Sequence, residues 1–354
     1  MTRYYYYYSI IVVVIVFFVK LECKDALNIS GTVDDKWKLM RNLFEQNFIQ
    51  QLDIGASVAI YHQGKLVVDL SGGWFDEQQT KVYTNDTLQL VFSVSKGIVA
   101  IAVALCVQNG LIDYDEKVIK YWPEYEQMEK GNTTVADIMS HRAGLPDVNA
   151  TVKEWVNWKT MIQLLEKEKP TWPPGTAHGY HTLTYGWLAG ELVRRVDPKN
   201  RTLGQFIREE IATRTSTEFY FGLDNELEYR VSPLVDPTNN AFNEFNDLVV
   251  HQAEIPAANG ITNARSLARI YASIIGDLPD GQKRLLNEAT LARAIKSNTP
   301  VNEPDMTLFN STTVFSMGFM LFGQQDSCLL DAFCGAFGHN GESNNIEKKT
   351  VSSL

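Results

Sequence analysis

The spacing of apolar positions changes character several times along the chain, and each change marks an element. Ile10 to Val19 is an unbroken apolar run, preceded by Arg3 and five tyrosines and closed by Lys20, Glu22 and Lys24. It is too short to cross ~30 Å of hydrocarbon unless the tyrosines join it. Its basic-then-apolar order predicts a secretory signal over residues 1–23, with a retained membrane anchor as the alternative. After Asp34 and Asp35, the positions Trp37, Met40, Leu43, Phe44 and Phe48 fall on one face of a helix that reaches about Gln50. Ala56 to Tyr61 and Leu66 to Leu70 are short β-rich runs around Gln63-Gly64, which predicts a hairpin.

From about Thr87 to Tyr229 the helical period dominates, punctuated by Gly110, Gly144, Pro146, Pro173-Pro174-Gly175 and Pro198. Strand-like alternation returns near Phe315 to Phe322 and Phe333 to Phe337. Strands, a long helical stretch and strands again predict an α+β fold: an antiparallel sheet flanked by helices, with a mainly helical subdomain inserted in it. The sheet part spans about 34–86 and 255–341, the helical part about 87–254, and a site is expected between them. No internal repeat is visible after residue 24.

Composition narrows the function classes. The 354 residues carry 32 Lys and Arg against 42 Asp and Glu, a net charge of −10, with no basic block to neutralise phosphates, so nucleic acid is not an expected partner. The four cysteines form no Cys-x-x-Cys pair and no Cys/His cluster with zinc spacing, so neither a metal nor another cofactor is expected. In an oxidising compartment Cys328 and Cys334 are candidates for closing a small loop, whereas Cys106 falls in an apolar helix and reads as a buried thiol. Six Asn-x-Ser/Thr acceptors, at Asn28, Asn85, Asn132, Asn149, Asn200 and Asn310, agree with a secretory route.

The candidate chemistry lies at Ser93-Val94-Ser95-Lys96, which opens a helix running through Ile98, Val99, Ala102, Val103 and Leu105 to a capping glycine at Gly110. That helix is apolar nearly all round, hence central and buried. A serine in its first turn sits beside free N–H groups and the positive end of the helix dipole, and a lysine three residues on shares its face. This is a nucleophile with a base beside it. Taken alone, the same spacing also describes an N-cap serine with an unrelated lysine.

The segments around this motif resemble the serine β-lactamase-like superfamily, and most of all its carboxylesterase branch. They are Val68-Asp69-Leu70-Ser71-Gly72-Gly73-Trp74, Phe92-Ser93-Val94-Ser95-Lys96-Gly97, Leu111-Ile112-Asp113-Tyr114-Asp115, Tyr121-Trp122-Pro123-Glu124, Met139-Ser140-His141-Arg142-Ala143-Gly144-Leu145-Pro146, Tyr180-His181-Thr182-Leu183-Thr184-Tyr185-Gly186-Trp187, and Ala257-Ala258-Asn259-Gly260-Ile261-Thr262-Asn263-Ala264-Arg265. The resemblance implies that Ser93 is the nucleophile and that Tyr180 and Lys96 together take its proton. A lysine of ordinary pKa, ~10.4, is protonated at pH 7 and becomes a base only through burial or a neighbour that shares its proton. Thr182 stands where lactamase members often carry Asn, which suits esterase relatives better. His339-Asn340-Gly341 matches the family's His-x-Gly, and His339 is read there as a donor, either toward substrate or to a group behind it, and not as the base. The oxyanion hole would be the Ser93 N–H with the N–H of Glu342, next to Gly341. His141 is expected to be structural.

After Gly341 the resemblance stops. Residues 342–354 form a polar tail without an alternating apolar face, so the C-terminal strands and helix of the family are expected to be missing. Two functions follow from these residues. One is a secreted serine hydrolase that cleaves short acyl esters through an acyl-enzyme, its partner a small-molecule ester or amide. The other is a catalytically weak or inactive binding protein on the same fold.

Overall fold

In the computed structural model, which describes residues 11–15, 27–235, 240–309, 311–322 and 336–341, the expected helix and hairpin both form near the N-terminus. Helix α1, Lys38–Ile49, follows a single 3-10 turn and buries Phe44 and Phe48, packed edge to face at 5.1 Å. Their rings lie on Gly72, where a Cβ would come within 3.2 Å of Phe44 and 3.3 Å of Phe48; a glycine in the strand lets the helix sit down on the sheet.

That sheet has four antiparallel strands: β1 (Ile11–Ile15), β2 (Ser30–Val33), β3 (Gly55–His62) and β4 (Lys65–Gly73), in the order β1-β3-β4-β2. Gln63 and Gly64 join β3 to β4 with φ of 51° and 76°, the pair of positive values that one of the two favoured two-residue hairpin turns, type I′, requires. The apolar leader, expected to lie outside the fold, supplies β1: Ile11 to Ile15 pair with Tyr61 to Ser57 along the edge of β3. Valine and isoleucine are strong strand formers, and the outer edge of β3 carries backbone groups that need partners.

The helical part contains α2 (Val94–Gln108), α3 (Val135–Met139), α4 (Val152–Trp155), α5 (Trp158–Lys167), α6 (Thr184–Val196), α7 (Leu203–Ile207) and α8 (Leu248–Gln252). Helix α2 is central. Every residue from Ser95 to Cys106 is buried, and it packs on α6 and, from the C-terminal part of the chain, on α10 (Glu288–Ala294). It ends as the sequence predicts: Gly110, at φ 69°, donates to Val107 O at 3.0 Å while Leu111 N–H reaches Cys106 O at 2.9 Å, a Schellman cap. Helix α9, Ala264–Ile275, lies across β1 and β3.

The boundary between the two parts is marked by three two-residue strands, β5 (Gln89–Leu90), β6 (Phe219–Tyr220) and β7 (Ile261–Thr262), in the order β5-β7-β6. Two fall inside the stretch read as helical, because two residues are too few to show a strand period. The later alternation forms the antiparallel pair β8 (Met320–Phe322) and β9 (Ala336–Gly338). The architecture is therefore the expected α+β arrangement, with the start of α2 at the junction.

Candidate active site

Ser93 immediately precedes α2, and its side chain makes no capping hydrogen bond. Its Oγ is instead 3.0 Å from Lys96 Nζ and 2.7 Å from the Tyr180 hydroxyl, which removes the reading of Ser93 as a helix-capping serine. Ser93 and Tyr180 are half-buried, so the reacting oxygen can meet a ligand, whereas Lys96 is fully buried. A buried ammonium must have its protons accepted. Lys96 Nζ donates to Ala257 O at 2.9 Å as well as to Ser93, and it lies 4.8 Å from the centre of the Tyr180 ring.

The carbonyl that orients Lys96 is itself held in place. Asn259 accepts from Ile255 N–H at 2.9 Å and donates to Val250 O and Ala253 O, both at 2.7 Å, which fixes the turn carrying Ala257. Ser95 Oγ then accepts from Gly260 N–H at 2.9 Å, tying the turn to the first turn of α2. Gly186 of α6 presses on the other side: a Cβ there would lie 2.2 Å from Ala257 N. Gly186→Ala should therefore push back the carbonyl that orients Lys96. We expect about 1–3 kcal/mol of destabilisation with a fall in kcat per folded molecule, read by thermal melting and by turnover normalised to folded protein.

Tyr180 follows the Pro173-Pro174-Gly175 loop, which lies against the turn after α3. Gly175 N–H donates to Arg142 O at 2.9 Å and Gly179 N–H to His141 O at 3.1 Å. Two histidines behind the tyrosine are fixed as neutral tautomers. His181 donates from Nδ1 to Gly179 O at 2.6 Å and accepts at Nε2 from Leu145 N–H at 3.0 Å, and burial pushes its pKa down to about 4. His141 accepts at Nδ1 from His181 N–H at 3.0 Å, and burial, reinforced by His181 and Lys96, takes it well below the usual imidazole range. His141 packs on Tyr180, Tyr185 and Phe315, the structural part expected of it.

His339 lies beside the site, its ring 5.8 Å from that of Tyr180. Burial, and then the Lys96 charge, push its pKa down to about 3, so it is neutral at pH 7. Nδ1 donates to Asn340 O at 2.8 Å, which leaves Nε2 as an acceptor. Of the two donor roles expected of His339, this bond is one made within the protein rather than toward substrate. Gly341 lies against the backbone that leads into α2, where a Cβ would be 3.0 Å from Val91 O. Thr182 is exposed.

Of the remaining expected residues, Glu342, Cys328, Cys334 and Asn310 lie outside the described residues. Cys106 is a buried free thiol whose pKa burial pushes up to about 12. Asn85, Asn132, Asn149 and Asn200 are exposed, whereas Asn28 is half-buried with its Nδ2 enclosed. No group of metal-binding side chains occurs among the described residues.

This arrangement has counterparts in known proteins. Residues 44–347 match the family model described as Beta-lactamase. The esterase/beta-lactamase LipL of Mycobacterium tuberculosis is 30% identical over 313 residues, which cover 79% of this chain and 72% of that protein. Among solved structures, a family VIII carboxylesterase superposes with a TM-score of 0.81 at 29% identity, covering 88% of each chain. A penicillin-binding protein homologue from Caulobacter crescentus gives a TM-score of 0.77 at 32% identity, covering 89% of this chain and 88% of that one. A family match over most of the chain, joined to a serine that shares its hydroxyl with Lys96 and Tyr180, places this protein in the beta-lactamase family of serine hydrolases.

Proposed function

We propose that this protein hydrolyses short acyl esters of small alcohols through an acyl-enzyme on Ser93. The observation that carries this reading is the double contact of Ser93 Oγ, with Lys96 Nζ at 3.0 Å and Tyr180 Oη at 2.7 Å. Ser93 Oγ attacks the ester carbonyl carbon while its proton passes to the Lys96–Tyr180 pair. The carbonyl π electrons move onto oxygen, which the Ser93 N–H and the backbone N–H after Gly341 receive. Collapse of this intermediate breaks the bond to the alkoxide, which takes the proton back from Tyr180 and leaves. Water then repeats the sequence: its proton enters the pair, its oxygen forms the new carbonyl bond, and Ser93 leaves reprotonated with release of the acid.

Esters rather than β-lactams are the substrate class supported by the likeness to the two esterases and by Thr182, whose short hydroxyl lacks the separate carbonyl and NH₂ groups with which an Asn side chain would hold a substrate amide. A nitrogen leaving group also needs its proton earlier than an alkoxide, and proton transfer of this kind is worth ~10²–10⁴ in rate. We therefore expect p-nitrophenyl butyrate to be turned over at least ~10²-fold faster than nitrocefin, measured as kcat/KM on one preparation. Equal values for the two would count against the ester reading.

We further propose that the protein follows the secretory route, supported by the basic-then-apolar leader and by four exposed acceptor asparagines. No described helix is long and apolar enough to cross a membrane. N-terminal sequencing of protein recovered from the medium of expressing cells should begin near residue 24. An intact leader on folded, active protein would instead make β1 a permanent strand.

A further inference from the structure

Behind Tyr180, and unused by the proton transfers above, lies a buried charged chain that ends on the backbone of this tyrosine. Arg142, His178, Glu303 and Asp305 have side chains 7%, 0%, 16% and 0% exposed. Arg142 donates to both Glu303 oxygens and, at 2.6 Å, to Gly175 O. Glu303 Oε2 is 2.6 Å from His178 Nδ1, and His178 Nε2 is 3.0 Å from Thr313 Oγ1. The Thr313 hydroxyl reaches Asp305 Oδ2 at 2.7 Å. Asp305 Oδ1 accepts from Tyr180 N–H at 3.2 Å, and from Thr307 N–H, Leu308 N–H and the Thr307 hydroxyl at 2.9, 3.1 and 2.8 Å. The same segment grips the tyrosine loop by its backbone: Met306 N–H donates to His178 O at 3.0 Å, and Thr307 Oγ1 lies 3.3 Å from Tyr180 O.

The protons in this chain can be counted. Glu303, His178, Thr313 and Asp305 are joined by three short contacts, each of which needs one proton between its two heteroatoms. The threonine hydroxyl supplies one and a neutral imidazole supplies one. The third belongs to the imidazole, which then carries both ring protons, because Arg142 donates to both Glu303 oxygens and holds that group as a carboxylate acceptor. Asp305 is ionised: burial raises its pKa, but the hydrogen bonds from Thr313, Thr307 and Tyr180 outweigh this and leave it below the usual carboxylate range. With His178 and Arg142 as cations and Glu303 and Asp305 as anions the cluster is neutral, the condition under which buried charges are tolerated. The other titratable ring that feels His178, His141, is kept uncharged by burial.

We propose that Asp305 and a doubly protonated His178, closed by Glu303 and Thr313, are positioning residues that hold the Tyr180 hydroxyl on Ser93. This inference rests on the reading of Tyr180 as proton carrier. A displacement of ~1 Å at a reacting group costs ~10²-fold, so the anchor of the tyrosine backbone should be visible in rate.

The test compares Asp305→Ala with Asp305→Asn. The alanine removes the acceptor for Tyr180 N–H and breaks the chain. The asparagine keeps an acceptor and offers an N–H to Thr313, whose own proton can then turn to a neutral His178. With Ser93 titrated by a fluorophosphonate, Asp305→Ala should lower kcat per titrated site by ~10²-fold with KM changed less than ~3-fold, and Asp305→Asn should restore kcat to within ~5-fold of wild type. Ring ¹⁵N spectra at pH 7.5 should show His178 with both nitrogens protonated in the wild type and with one protonated in Asp305→Asn. If Asp305→Ala does not fold, Thr313→Val breaks the chain isosterically and should show the same loss in kcat per site. Unchanged kcat per titrated site in whichever variant folds, or a singly protonated His178 in the wild type, overturns the proposal. A wild type that neither labels nor turns over esters overturns the proposed function and the positioning role together, an outcome separable from failure in the variants alone.

Discussion

Ser93→Ala and Lys96→Met each lower kcat for a short ester by at least ~10⁴-fold, and the double variant loses no more than either alone, because a nucleophile and its base act as one unit. The two substitutions differ in what they do to the fold. Ser93 spends no hydrogen bond on capping α2, so removing its hydroxyl should leave the melting temperature nearly unchanged. Lys96 is fully buried, and replacing it by an apolar side chain of similar length removes a desolvated amine at the cost of its hydrogen bonds to Ala257 O and to the half-buried Ser93 hydroxyl. Its variant should melt no lower than the wild type while being as inactive as Ser93→Ala. Kinetics of the three variants beside their melting curves checks both halves. Losses that multiply in the double variant would mean that Ser93 and Lys96 act independently.

Tyr180→Phe removes only the hydroxyl that lies 2.7 Å from Ser93. The ring stays stacked on Phe315 at 6.1 Å and 12°, so packing is retained. A positioned proton carrier is worth ~10²–10⁴ in kcat, and KM should move little because the hydroxyl acts on the transferring proton rather than on bound ester. The deficit should also grow as the leaving group worsens, since p-nitrophenolate departs without a proton and a simple alkoxide does not. A series of acetate esters spanning leaving-group acidity, measured on wild type and Tyr180→Phe, gives the comparison. A constant ratio across the series would restrict Tyr180 to activating Ser93 and remove it from the leaving-group step.

The parts of this site that could be read in the sequence are those carried by side chains over short spans. Ser93 and Lys96 share a helix face, Gly110 caps that helix, and Gln63-Gly64 turns the hairpin, each through local geometry that a window of a few residues displays. Ala257 is different: its role belongs to a backbone carbonyl 161 residues from Lys96, and a carbonyl has no residue-type signature. Asn259 and Gly186 stood inside motifs that marked the family, but their tasks, holding that carbonyl and leaving it room, emerge only from the packing of α6 against the turn. The segment from Glu303 to Thr313 shows no periodicity, because its ordering comes from hydrogen bonds to a loop 125 residues earlier. For His339 the motif shows only that a histidine stands there, since which ring nitrogen donates depends on a contact with Asn340 O. The leader illustrates a conflict of another kind: one apolar run satisfies both a signal segment and a strand, and the composition is the same for each.

The most direct test of the central claim is to treat folded protein with a fluorophosphonate and locate the adduct by tandem mass spectrometry. One phosphonyl group on Ser93, absent from Ser93→Ala and slowed in Lys96→Met and Tyr180→Phe, is the result this account predicts. An adduct on any other side chain, or an unmodified Ser93 in a preparation that is hydrolysing esters, would contradict it.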